Sequence, residues 1–213
     1  MPRKKIEIPT SPHAGGVYVP TARKIIKSTL AVLGSQGHDG LTTKTISKKS
    51  NLSTGIIHHY FDTKEKLIYA SYVFMIRNLQ RKTIKVIKKE PDPYKRLWKM
   101  VKVHFGDVQL SSEATSIWPQ FWAHAIHDKA VARLYRVYSR RLRSNFTRAF
   151  REIGFDRQQS IRRAEQLLCA IHGVWIESRI SKMVSSKEQL RSLLWSYIQL
   201  LTGIAPATKE VIK

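Results

Sequence analysis

The stretch TTKTISKKSNLSTGIIHHYF, Thr42 to Phe61, reads as two short helices joined by a tight turn. The first runs from Thr43 to Ser50 with Ile46 as its apolar anchor, and the second from Thr54 to Phe61. The turn Asn51-Leu52-Ser53 needs a residue that tolerates a left-handed backbone, and Asn is one of the few types besides Gly that does. Leu52 is expected to point back between the helices, and Ser53 and Thr54 both suit the N-cap of the second. A helix-turn-helix of this kind offers the N-terminal end of its second helix to the DNA major groove. An ordinary helical hairpin in a core is the other reading; the flanking segments favour the helix-turn-helix.

Upstream, Ile25, Ile26, Leu30 and Leu33 recur at helical spacing. They predict a helix from about Thr21, acting as N-cap after Pro20, to about Gln36, stopped by Gly37 and Gly40. Residues 1–20 carry Pro9, Pro12, Pro20 and Gly15-Gly16 without any period and read as a flexible arm. Arg3, Lys4 and Lys5 would suit a minor groove, although a plain tail is the simpler reading. Downstream, Asp62 and Thr63 open a long fourth helix whose apolar residues, Leu67 to Ile87, continue without a breaker until Pro91. Further helices are expected at about 93–108, 112–126, 129–153, 157–181 and 186–203, punctuated by Gly106, Asp128, Gly154 and Ser185-Ser186. No run of alternating Val, Ile and Thr predicts a sheet. The expected fold is all-α, with about nine helices: an N-terminal three-helix head and a larger helical body. The boundaries are an arm at 1–20, a helix-turn-helix domain at 21–67, a regulatory and dimerisation domain at 68–205 and a tail at 206–213.

The chain of 213 residues has a net charge of +23. The excess is spread along it, +12 up to residue 90 and +11 beyond. A polyanionic partner is the natural reading, since each phosphate contact releases a counterion. Charge alone does not separate DNA from RNA or an anionic membrane. The single Cys169 excludes an intrachain disulfide framework and a Cys-based metal site, and it fits a reducing compartment. No apolar run approaches the length of a membrane span, and no apolar segment follows the N-terminal charges, so a cytoplasmic location is expected.

The order Ser53-Thr54-Gly55-Ile56-Ile57-His58-His59-Tyr60-Phe61, with Lys64 and Leu67 behind it, resembles the TetR family of bacterial transcriptional regulators over roughly residues 21–70. His58 stands where many members place Tyr, which alters one DNA contact but not the fold. The resemblance extends into the body, where the wording is that of the choline-responsive BetI subgroup. Trp118-x-x-Phe121-Trp122-Ala123, Tyr135, Ser139-Arg140-Arg141-Leu142 with Ser144-Asn145, and Gly173-x-Trp175 carry it. His172 stands where relatives place an Asp before the glycine; if that acid helps neutralise a cationic ligand, its absence bears on which ligand is taken. The resemblance implies a dimer formed through the last two helices, binding a palindromic operator in double-stranded DNA and released by choline or another quaternary ammonium.

The candidate DNA contacts follow from residue type. Gly55 lets the helix backbone approach a phosphate or base. Thr42 and Thr43 are both possible caps of the second helix, and Thr43 can give its hydroxyl and backbone N–H to a phosphate. Ser53 and Thr54 place hydroxyls at the start of the third helix, and His58 and His59 project from its exposed face. Tyr60 can reach a phosphate or a thymine methyl, while Lys64 and Lys44 add charge. Ile56, Ile57 and Phe61 are expected in the core. No metal is expected: adjacent histidines on a helix diverge by about 100° and do not chelate together.

In the body, Trp118, Phe121 and Trp122 share one helical face, and Tyr135 and Trp175 add further rings. Together they form either a core or a cage for a quaternary ammonium, each ring face attracting the cation by roughly 0.5 to 2 kcal/mol. Asp107, Glu113 and Glu177 are the carboxylates within reach of the same helices in sequence. The Arg-rich seventh helix is either a solvated face or a surface for phosphates or a partner. No phosphate loop, HExxH or nucleophile motif is present, and Cys169 in the run LLCAI is expected buried and inert, so neither an enzyme nor a cofactor is expected. A multidrug-sensing repressor of an efflux system, and a regulator whose body only dimerises or binds a protein, are the alternatives to a choline-responsive one.

Overall fold

The computed structural model describes residues 13–14, 17–105, 112–180 and 186–203. Among them are the helices α1 (Pro20–Gln36), α2 (Thr43–Ser50), α3 (Thr54–Phe61), α4 (Lys64–Lys89), α5 (Pro93–His104), α6 (Ser112–His127), α7 (Lys129–Ile153), α8 (Arg157–Ile180) and α9 (Lys187–Thr202). The arm is not wholly irregular, as its composition led one to expect. Strands β1 (His13–Ala14) and β2 (Val17–Tyr18) pair antiparallel, with His13 opposite Tyr18. The rest of the arm up to residue 12, and the C-terminal tail, lie outside the described residues. The chain divides into two compact units between Phe74 and Met75.

In the first unit, every helix turns one stripe inward. Ile25, Ile26 and Leu33 of α1, Ile46 of α2, Ile57 and Phe61 of α3, and Leu67, Ile68 and Tyr72 of α4 are all buried. Each full burial is worth about 1.5–3 kcal/mol. The Tyr72 hydroxyl meets the His38 ring nitrogen at 2.9 Å, and burial raises its phenol above the usual range. Thr21 is not the N-cap expected for α1, which begins earlier, at Pro20. Val19 is its N-cap and Pro20 fills the first turn, where a missing N–H costs nothing. Gly37 ends it at φ 69°, its N–H reaching Leu33 O. Gly40 is required by packing, because an added Cβ would sit 2.4 Å from Gln36 Cβ.

The second unit is built around α7, whose Tyr138, Leu142, Phe146 and Phe150 face inward. Trp195 of α9 packs edge-on against Trp98 (4.9 Å) and Tyr94 (5.4 Å) of α5. Arg96 of α5 pairs with Glu152 of α7. Asp128 Oδ1 accepts the N–H groups of Ala130 and Val131, both at 2.8 Å, and so starts α7. Ser186 and Gln189 form a capping box at α9, and Gly203 closes that helix in the left-handed region at φ 66°. Helix α5 stops at His104, short of the expected 108; residues 106–108 lie outside the described residues. Cys169 corrects another expectation, for it is exposed. Leu167, Leu168 and Ile171 take the buried face of α8, and the thiol is rotated away from it.

Candidate nucleic-acid interface and effector site

Helix α2 is fixed by a reciprocal cap. Thr45 N donates to Thr42 Oγ1 at 3.1 Å and Thr42 N donates to Thr45 Oγ1 at 2.9 Å. Of the two threonines proposed as caps, Thr42 is therefore the one used, and Thr43 is the first helical residue. The role of Thr45 was missed by the sequence reading, although the Thr-x-x-Thr spacing carries it. The turn is set by Asn51, left-handed at φ 51°, ψ 47°. Its N–H and that of Leu52 both reach Ser47 O, while Ser47 Oγ donates to Leu52 O at 2.6 Å. Leu52 is half-buried. Ser53, rather than Thr54, caps α3 by accepting from Ile56 N.

Helix α3 spans only eight residues and buries only Ile57 and Phe61. Ile56 was expected in the core but is 38% exposed, because one step from Ile57 turns it by about 100°. Thr54, Gly55, His58 and His59 are exposed, and Tyr60 is half-buried with its ring edge-on to His59 at 5.4 Å. A Cβ built on Gly55 meets nothing closer than Ser53 Oγ at 3.9 Å, so the fold itself does not demand glycine there. Thr42, Lys44, Ser53 and Lys64 are exposed and Thr43 is half-buried. From Gly40 to Phe61 the chain carries no acidic residue. Asp62, which ends α3 at φ 59°, is paired with Lys66 at 2.5 Å, and that hydrogen bond holds its carboxyl below the usual range.

In the second unit the five predicted effector residues come together as one chain of rings from α6, α7 and α8. Trp118 lies 5.9 Å from Phe121, 5.9 Å from Trp122 and 6.5 Å from Trp175. Phe121 lies 6.2 Å from Tyr135, and Phe105 stacks on Trp175 at 5.3 Å. Trp118, Phe121 and Trp175 are buried, whereas Trp122 and Tyr135 are half-buried. His172 joins them, 4.8 Å from Trp122 and 6.1 Å from Tyr135. Trp122 Nε1, His172 Nε2 and His104 Nε2 have no hydrogen-bond partner among the described residues. Burial pushes both imidazoles down to about 4, so both are neutral at physiological pH. Of the three carboxylates expected within reach, Glu177 is exposed, while Asp107 and the side chain of Glu113 fall outside the described residues.

A separate cavity of about 290 Å³ is lined by Leu79, Thr83, His104, Tyr138, Arg141 and Asn145, among others. Arg141 donates to Gln80 Oε1 on its wall at 3.2 Å. No sequence pattern announced this cavity; His104 enters it only because α5 turns its buried face that way. Among the described residues, no cluster of His, Cys, Asp or Glu has the arrangement of a metal site, and no helix is long and apolar enough to cross a membrane.

An acid-free, solvent-facing helix-turn-helix joined in one chain to an aromatic-lined helical unit defines a DNA-binding regulator. Residues 25–70 match the family of bacterial regulatory proteins, tetR family, and residues 93–203 match the BetI-type transcriptional repressor C-terminal domain: the chain belongs to the TetR family, with a BetI-type body. Members of this family are transcriptional regulators, not enzymes. The chain is 32% identical over 191 residues to the HTH-type transcriptional regulator BetI of Cronobacter sakazakii, covering 88% of this chain and 94% of that one. It is 31% identical over 179 residues to the BetI regulator of Burkholderia lata, covering 84% and 92%. A putative transcriptional regulator from Saccharomonospora viridis, solved in complex with choline, has the same fold (TM-score 0.76, 19% identity, 84% of this chain and 95% of that one).

Proposed function

We propose that the chain is a cytoplasmic, dimeric repressor that a small cation such as choline or betaine aldehyde releases from a palindromic operator, controlling conversion of choline to glycine betaine. The observation that carries this reading is the ring cluster of Trp118, Phe121, Trp122, Tyr135 and Trp175, whose half-buried members Trp122 and Tyr135 flank His172. Ring faces attract a quaternary ammonium, and a neutral His172 does not repel it. The BetI-type body and the choline-bound relative support the same ligand class.

The proposed DNA contacts are the hydroxyls of Thr42, Thr43, Ser53, Thr54 and Tyr60, the rings of His58 and His59, the charges of Lys44 and Lys64, and the bare backbone of Gly55. Dimerisation is proposed through α8 and α9. Ile176 and Ile180 are exposed on α8, and Leu193 and Leu200 lie seven residues apart on α9, Leu200 being 76% exposed. A Cβ built on Gly173 meets nothing within 4 Å, which leaves room for the close approach of a second copy. Helix α4 is continuous from Lys64 to Lys89 and would transmit the ligand's preference for one spacing of the recognition helices.

A second reading has its own observation. The cavity at Thr83, His104 and Asn145 is mostly apolar with a few polar groups on its wall, and none of the five proposed cage residues lines it, although its Tyr138 touches Trp118 at 5.4 Å; this suits a lipophilic effector, as in a multidrug-sensing repressor. Tryptophan-fluorescence titrations with choline, betaine aldehyde and a bulky cationic dye, paired with operator gel shifts, separate the two. A response to the dye alone overturns the choline reading.

A further inference from the structure

Helix α7 is amphipathic in an unusual sense. Opposite its buried Tyr138, Leu142 and Phe146 it carries Lys129, Arg133, Arg136, Arg140, Arg143 and Arg151, all exposed. At about 100° per residue these six fall within an arc of about 80°, and from Arg133 to Arg151 they extend about 27 Å along the axis. Successive members from Lys129 to Arg143 stand three or four residues apart, so each repels the next. Internal compensation is slight. Arg143 lies 3.8 Å from Glu165 in a half-exposed pair, and Arg133, Arg136, Arg140 and Arg151 have no ion pair among the described residues. Glu152, the only acid on α7, is engaged by Arg148 at 2.8 Å and by Arg96. Toward the C-terminal end the stripe borders a groove of about 630 Å³ lined by Arg140, Arg143, Arg148 and Arg151, with Ser144, Thr147 and the already paired Glu152.

We propose that this arginine stripe is a second, sequence-independent DNA-binding surface, engaging the phosphate backbone of duplex DNA separately from the helix-turn-helix. Three features point to that occupant. The stripe is a straight rod of one sign, and duplex DNA presents one negative charge per about 1.7 Å of its axis. The side chains are arginines but for one lysine, and the guanidinium fork matches phosphate oxygens bidentately. The helix-turn-helix of the same chain already brings it to duplex DNA, so this polyanion is the one at hand. The side chains of the stripe leave base edges unread, so they add affinity and facilitated search without altering which operator is chosen.

The test is binding of the full chain to a long duplex of unrelated sequence across a salt series, with no effector present. Replacing Arg133→Gln, Arg136→Gln, Arg140→Gln and Arg143→Gln together is expected to lower affinity at least about tenfold at moderate salt. The slope of log K against log salt should become shallower by about 2 to 4, since each phosphate contact contributes ~0.9. The four lysine replacements at the same positions keep the slope within about one unit of the native value. Should the glutamine variant fold poorly, Arg136→Gln alone shifts the slope by about one. An unchanged slope in a folded glutamine variant overturns the proposal. So does a lysine variant that loses as much as the glutamine one. Loss of binding to anionic vesicles with DNA binding intact transfers the stripe to a lipid surface instead.

Discussion

Replacing Gly55 by alanine separates what the fold needs from what the DNA needs. Gly55 is the second residue of α3, its φ is not positive, and an added Cβ meets only Ser53 Oγ at 3.9 Å, ordinary van der Waals contact. The methyl group therefore enters open space. Glycine in a helix costs roughly 0.5–1 kcal/mol relative to alanine, and near the first turn the lower end applies. The Gly55→Ala chain should be more stable by about 0.5 kcal/mol, a rise in Tm of about 1–2 °C for a chain of this size. If the bare backbone at residue 55 is the point of closest approach to DNA, the same methyl pushes α3 outward. Operator affinity then falls at least about tenfold, or ~1.4 kcal/mol. Thermal melts followed by circular dichroism and fluorescence-anisotropy titrations on one preparation measure both quantities. A variant that melts higher and binds the operator as tightly as the native chain refutes the reasoning, because the glycine would then serve neither fold nor contact.

Asn51 holds a left-handed backbone that alanine adopts at a cost of about 1 kcal/mol, so Asn51→Ala should lower Tm by a few degrees while Asn51→Gly leaves it nearly unchanged. His104 supplies a pH dependence: it is 3% exposed, its Nδ1–H donates to Met100 O at 3.0 Å, and its folded pKa of about 4 lies below its ordinary 6.5. The unfolded chain takes up that proton first, so stability is full above about pH 6.5 and declines as pH falls toward 4, by at most ~3 kcal/mol. His104→Leu should flatten melting curves across that window. Leu200→Glu, on the exposed face of α9, should yield a monomer by light scattering and weaken operator binding by more than about tenfold, with little change in the melt. Trp122→Ala, at a half-buried ring, should abolish the choline response, whereas Trp118→Ala removes core and costs about 3–5 kcal/mol of stability.

The head was legible because its signals are local. Asn51 and Ser53 set the turn and the cap within three residues, and α2 and α3 begin and end where those residues require. Periodicity placed the helices of the body in the same way. What it did not give was which side of a stripe faces the interior. Ile56 beside Ile57, and Cys169 beside Leu168, are each one step of about 100° from a buried neighbour, and only the opposing helix decides which is covered. The effector site mixes the two cases. The spacing of Trp118, Phe121 and Trp122 announced a shared face, yet that Trp122 stays the most open of the three depends on how the opposing helices cover Trp118 and Phe121 more fully, which spacing within α6 does not encode. The cavity at His104 had no sequence signal at all, since it arises from α4, α5 and α7 together.

The most direct test of the proposed ligand response is operator affinity in the presence and absence of saturating choline, with tryptophan fluorescence recorded in the same samples. The account predicts that choline perturbs the fluorescence of the Trp118–Trp122 cluster and weakens operator binding at least about tenfold, within the roughly 5- to 150-fold range typical of allosteric coupling. Unchanged operator affinity, whether or not the fluorescence moves, would contradict it.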